Sequence, residues 1–246
     1  MAPTHRKPIV GLLTFDPAFV LPKTPIKRQS LALTVIPGQI QADLKTMAQM
    51  FKTRALTVLV DGILLEQIKG LKAHLINTAK THGFDAKIRP IKETARETLK
   101  SLGKQVKEVY LTPGLQMPGS QRKQLIGKLN EEGYFIFSGA GATDVQDGAL
   151  AGQLPPMNER LARHAALNAM RFFSGMGSQN PLESLKPKRQ LQINETTTAW
   201  VKYHVSDAVA EKAREVEPEP LKKSVVAALP EVDRLPFDNY LKKNKT

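Results

Sequence analysis

The strongest constraint on this chain is an alternation of two hydrophobic periods between residues 55 and 138. LTVLV (56–60) is a short β-branched run of the kind that forms a strand buried on both faces. Leu64, Ile68, Leu71, Leu75 and Ala79 then recur at helical spacing, and Gly83 stands where such a helix would end. FDAKIRPI (84–91) reads as a strand, and ETARETLKSLG (93–103) as a helix with Ala95, Leu99 and Leu102 inward. VKEVYLTP (106–113) is a strand, SQRKQLIGKLNEEG (120–133) a helix between a Ser120 cap and Gly133, and YFIFS (134–138) a further strand. Such an alternation predicts an α/β fold with a parallel sheet covered by helices on both faces. Right-handed crossovers then carry every strand's C-terminal end to one edge, where ligands bind in folds of this type. Three segments should line that edge: Asp61-Gly62, Thr112-Pro113-Gly114-Leu115, and SGAGATDVQDG from Ser138.

The flanking regions add elements of both kinds. KPIVGLLTFDP (7–17) and QSLALTVIP (29–37) read as strands, and residues 39–51 as a helix with Leu44, Met47, Ala48 and Phe51 on one face. ALAGQLP (149–155) reads as extended. MNERLARHAALNAMRFFSG (157–175) is an amphipathic helix whose inward stripe is Leu161, Ala165, Ala169 and Phe172. LQINETTTAWV (191–201) reads as a strand or extended return, followed by a short helix at 206–216 and a tail.

Composition narrows the function classes. A length of 246 residues suffices for one large domain or two lobes. The formal net charge of +13 admits an anionic partner, but the 6% of aromatic residues do not interleave with the basic clusters as a base-stacking platform requires. The absence of cysteine excludes disulfides, thiolate metal sites and cysteine nucleophiles. No apolar run is long enough to span a bilayer, and the opening MAPTHRKPIVGLL does not read as a signal peptide.

The small-residue stretch 138–152 does not fit phosphate chemistry. Gly139-Ala140-Gly141 begins a dinucleotide pattern, but Asp144 occupies its third glycine position and would repel phosphate. G-x-S-x-G and H-E-x-x-H are absent, and the five histidines are scattered. Asp144 and Asp147 suit either ligand recognition or turn-making. These observations predict no catalytic residue, no cofactor and no metal, and leave binding of a small polar ligand between two lobes.

VKEVYLTPGLQ, followed by YFIFSGAGATDVQDGALAGQLPPMNERLARHAALNAMRFFSG, resembles the periplasmic substrate-binding proteins of ABC transporters, in the branch associated with tryptophan, tyrosine and other aromatic ligands. TFDP (14–17) is similar to a first-lobe turn of that family. The resemblance implies a two-lobed, type 1 periplasmic-binding-protein fold with Rossmann-like parallel sheets. Residues 1–37 plus 149–200 would form a first lobe lacking its N-terminal units, 38–148 a complete second lobe, and 201–246 a C-terminal helix and tail. It further implies a small organic solute, an amino acid among the candidates, in an interlobe cleft. Thr112 and Gly114 would bind a carboxylate or polar group through the hydroxyl and backbone N–H, Asp144 or Asp147 would accept from an amino group, Asp16 would approach from the first lobe, and Leu115 and Gln146 would complete the ligand-binding set. Closure would hinge near residues 35–38 and 149–152. An ABC permease would be the partner, the location extracytoplasmic, and an uncovered sheet edge a route to a homodimer. A basic interaction protein for nucleic acid or an anionic surface, and a carboxylate-dependent hydrolase, remain the alternatives.

Overall fold

A computed structural model describes residues 9–13, 31–102, 106–114, 117–176, 182–211 and 213–215. In chain order the elements are β1 (Ile9–Leu13), β2 (Leu31–Val35), α1 (Gln39–Met50), β3 (Ala55–Asp61), α2 (Gly62–Gln67), α3 (Leu71–Thr81), β4 (Asp85–Ile91), α4 (Ala95–Lys100), β5 (Glu108–Leu111) and α5 (Gly119–Glu131). Then follow β6 (Phe135–Ser138), α6 (Ala142–Gln146), β7 (Ala151–Gly152), α7 (Asn158–Phe173), β8 (Leu182–Ser184), β9 (Gln192–Ile193), α8 (Glu195–Trp200), α9 (Asp207–Ala210) and β10 (Arg214–Glu215).

Two sheets result, both α/β in construction. The smaller has the order β1-β2-β8 and the larger β10-β9-β7-β6-β5-β3-β4. All pairings are parallel except β7 with β9. In the larger sheet β4 lies on one side of β3 and β5 on the other, so the winding direction reverses between β3 and β5.

The period-2 pattern of the strands sorts their side chains between two layers. Leu56, Val58, Val60, Ile88, Tyr110 and Phe137 pack with Leu44 and Met47 of α1 and Leu71 and Leu75 of α3. On the opposite face Leu59, Val109, Leu111 and Ile136 pack with Leu125, Ile126 and Leu129 of α5. The helix over 157–175 forms as its spacing predicts, but Leu161, Ala165, Ala169 and Phe172 are only half-buried against the smaller sheet.

Three expectations are corrected. The apolar spacing from Leu64 to Ala79 is divided between α2 and α3, because Gly70 adopts a left-handed conformation (φ 85°) and starts a new helix. The spacing survives the break because α2 and α3 pack on the same core. LQINETTTAWV is not a strand throughout: after β9, Asn194 caps α8 by accepting from the Thr197 amide at 2.9 Å. The β-branched threonines favoured extension, but the capping asparagine decides the local conformation. β9 also joins the larger sheet rather than the smaller one. The TFDP turn and residues beyond 215 lie outside the described residues.

Three chain segments run between the sheets: 36–38 after β2, 153–157 after β7 and 185–191 before β9. Each contributes to one small apolar knot, formed by Ile36, Leu154, Met157 and Leu185.

Candidate functional site

The C-terminal ends of β3, β5 and β6 lie on one edge, at the reversal of strand order, where open α/β sheets leave a crevice. After β3, the carboxylate of Asp61 accepts from the Ile63 amide at 3.0 Å and caps α2. After β5, Thr112 is fully buried; its amide and hydroxyl both donate to the Leu59 carbonyl, at 3.0 and 2.9 Å. Gly114 is half-buried, and a side chain there would come within 3.1 Å of Arg122 Nη1.

After β6 the small residues serve a close chain crossing. Gly141 has φ 68° and ψ −132°, and a Cβ on it would sit 2.0 Å from the Leu154 carbonyl oxygen. A Cβ on Gly152 would sit 2.8 Å from the Gly141 Cα. The two glycines let the segment after β7 lie directly against the loop, and the Ala142 amide donates to that same Leu154 carbonyl at 2.9 Å. α6, of five residues, then carries the two aspartates of the loop to different environments.

Asp144 is 1% exposed and Arg122 of α5 is 9% exposed. Arg122 Nε and Nη2 donate to the two carboxylate oxygens of Asp144 at 2.8 and 2.6 Å, a bidentate pair. The Ser138 hydroxyl also donates to Asp144, and Arg122 Nη2 donates to the Thr112 carbonyl at 3.0 Å. Arg122 Nη1 is buried without a hydrogen-bond partner. Asp147 is half-buried and pairs with Lys123 at 2.9 Å, while Gln146 is exposed. Thr112, Gly114, Asp144, Gln146 and Asp147 therefore gather around one strand edge. Thr112 and Asp144 stand behind its surface, with their polar groups engaged by the fold. Asp16 and Leu115 lie outside the described residues.

Arg122 was not among the residues expected at the site. Its signal, a basic residue on the helix preceding β6, is indistinguishable in sequence from the solvent-facing Lys123 beside it. A second unanticipated cluster lies among the crossings. Asp43 of α1 is fully buried and accepts from Gln39 Nε2 on both oxygens at 2.9 Å, from Gln153 Nε2 at 2.8 Å and from the Tyr110 hydroxyl at 2.7 Å. Burial pushes the Asp43 carboxyl up to about 6, against the opposing pull of those hydrogen bonds and of the Arg189 charge. Burial likewise raises the Tyr110 phenol well above its ordinary range, with the neighbouring Asp43 adding to the effect.

A pocket lined by Ile193, Glu195, Thr198, Tyr203, Val205, Ala210 and Ala213 follows the end of β9. Since β9 runs antiparallel to β7, this pocket lies at the opposite edge of the sheet from Thr112 and Gly114. Among the described residues no group of three or more His, Asp or Glu is placed to hold a metal ion, and no helix is long and apolar enough to cross a membrane.

The fold is shared with solved structures of low sequence identity. A ligand-bound structure from Streptococcus pneumoniae, described as an ABC domain in complex with L-Trp, superposes with a TM-score of 0.63 at 12% identity, covering 87% of this chain and 82% of that one. The chain has the fold of the ABC substrate-binding proteins. A ligand-free, open substrate-binding protein with adhesive properties from Clostridium difficile matches with a TM-score of 0.53 at 18% identity, over 86% of this chain and 72% of that one. A conserved domain protein from Vibrio cholerae matches with a TM-score of 0.61 at 13% identity, over 76% of this chain; the chain spans 63% of that protein's length. No family model and no curated protein matches the sequence.

Proposed function

We propose that the protein is a solute-binding protein of an ABC-type transport system. It would bind a small organic solute, with amino acids the first class to test, at the edge formed by Thr112, Gly114 and the loop after Ser138. The observation that carries this reading is the reversal of strand order at β3 and β5, in a sheet joined to a second one by three crossings and in a fold shared with a structure holding L-Trp.

In this reading the roles divide by exposure. Gly114 and Gln146 contact solute directly, Gly114 through backbone that no side chain shields; Leu115 joins them on the sequence reading alone. Asp147 supplies the carboxylate nearest solvent for an amino group, with Lys123 as its resting partner. Asp144 and Thr112 act from behind, holding Arg122 and the end of β5 in place. Asp16 is kept as a solute contact on the sequence reading alone. The protein would present its solute to a permease outside the cytoplasmic membrane and catalyse no reaction.

A thermal-shift screen against the amino acids, aromatic ones included, tests the proposal. A solute present at about 100 times its Kd, and bound only by the folded state, adds about 2.7 kcal/mol and raises Tm. Cooperative melting left unmoved by every amino acid and small organic acid or amine would overturn it.

A further inference from the structure

The three crossings are tied by polar groups as well as by their apolar knot. Asp43 collects its hydrogen bonds from residues at several of them. Gln39 opens α1 directly after the first crossing, Gln153 belongs to the second, and Tyr110 comes from the centre of β5. Arg189 of the third crossing donates to Gln39 Oε1 at 3.3 Å and to the Pro37 carbonyl at 3.2 Å. The Gln190 amide adds a bond to the Gln153 carbonyl at 3.1 Å, and Thr46 Oγ1 fixes Gln153 Oε1 at 3.1 Å. The amide orientations of both glutamines are thereby set by donors on their far sides, so that both point Nε2 at Asp43.

We propose that Asp43 is a proton-sensitive tie between the crossing segments, so that its charge state sets the balance between a held and a loosened arrangement of the two sheets. This rests on the hinged, two-lobed reading above and names a positioning residue for it. An ionised carboxylate is an acceptor only and every group touching Asp43 is a donor, so these hydrogen bonds favour the ionised form and offset part of its desolvation, which remains the larger effect. Among the described residues no cation bonds to it; Arg189 reaches it through Gln39, and its charge favours the ionised form from there. The ionised form is therefore held in a dry site without a counter-ion, at a desolvation cost.

Any hinge motion that separates the crossings lets water reach Asp43 and removes that cost. The hydrated carboxyl returns toward its ordinary value of 3.8, whereas in the tied state it stands near 6. The sign follows by linkage. The tied state binds a proton more readily, so acidification from about 6 toward 3.8 favours it, and neutral pH favours loosening. A difference of about two units corresponds to a change of up to about 100-fold in the ratio of tied to loosened states.

The chain's lack of cysteine makes the test direct. Spin labels on Ala166→Cys, exposed on α7, and Lys80→Cys, exposed on α3, report the distance between the sheets by double electron–electron resonance, without any solute. Between about pH 8 and about pH 4 the distance distribution should shift toward one population, the change setting in near 6 and levelling off near the ordinary carboxyl value of 3.8. Asp43→Asn should make the profile flat. Arg189→Met should keep the transition and move its midpoint to higher pH, since a cation that favours the ionised form is lost. This second variant serves if the first does not fold. A flat wild-type profile, an unchanged profile in Asp43→Asn, or a midpoint unmoved in Arg189→Met would overturn the proposal. Because no solute is used, failure to find a solute leaves this result standing, and failure here leaves solute binding standing.

Discussion

Removing the carboxylate of Asp144 should unfold this protein more readily than it alters any surface property. The structure sets the magnitude. Arg122 is 9% exposed and Asp144 1% exposed, and two charge-assisted hydrogen bonds of 2.8 and 2.6 Å join them. In Asp144→Ala the guanidinium stays buried and keeps one hydrogen bond, from Nη2 to the Thr112 carbonyl; Nη1 has none even in the native protein. The Ser138 hydroxyl loses its acceptor as well. Breaking one partner of such a buried pair costs about 3–5 kcal/mol, a large fraction of the roughly 5–15 kcal/mol that holds a typical domain folded. Urea unfolding followed by circular dichroism should show the midpoint falling by about 1–1.7 M, for a slope near 3 kcal/mol per M. The double variant Arg122→Met with Asp144→Leu removes both charges and should recover most of the loss, because it avoids an orphaned charge. A loss under about 1 kcal/mol in Asp144→Ala, or a double variant as unstable as the single one, would refute the reasoning.

Two further perturbations test other parts of the account. Gly141→Ala forces a Cβ to within 2.0 Å of the Leu154 carbonyl at a backbone φ of 68°, so the loop or the segment after β7 must move. A loss of at least about 2 kcal/mol is expected by chemical denaturation, and a variant as stable as wild type would show that the two segments are not in contact. For pH, the raised Asp43 carboxyl means that the folded protein binds more protons than the unfolded chain between about 4 and 6. Its contribution to stability therefore grows as pH falls through that window, to a limit of about 3 kcal/mol. Glu183 acts in the opposite direction: burial raises it, but the hydrogen bonds from Arg171 and His164 outweigh burial and hold it below its usual range, so its stabilisation is lost in acid. The difference in unfolding free energy between wild type and Asp43→Asn, measured across that range, isolates the first effect; a constant difference would refute it.

The larger sheet was legible in the sequence because its signals are local. LTVLV, FDAKIRPI, VKEVYLTP and YFIFS are each bounded by glycine, proline or a capped helix, and each became a strand. The edge that gathers Thr112, Gly114 and Asp144 followed from right-handed crossovers alone. The short C-terminal elements were less legible. In LQINETTTAWV, threonine propensity and asparagine capping point to opposite conformations, and capping prevails where Asn194 also donates to the Val145 carbonyl at 2.7 Å.

By itself, then, the sequence determined the α/β class, the edge that gathers the strands' C-terminal ends and the helices that cover the sheet, because hydrophobic period and chain handedness need no knowledge of distant partners. Only the tertiary structure decided what the polar residues do. Asp144 and Asp147 stand three positions apart in one loop, yet one is locked to Arg122 in the interior and the other to Lys123 near the surface. Asp43 meets Tyr110 and Gln153 across 67 and 110 residues of chain. A carboxylate's role depends on burial and on which donors reach it, and both are set by contacts between segments far apart in the sequence.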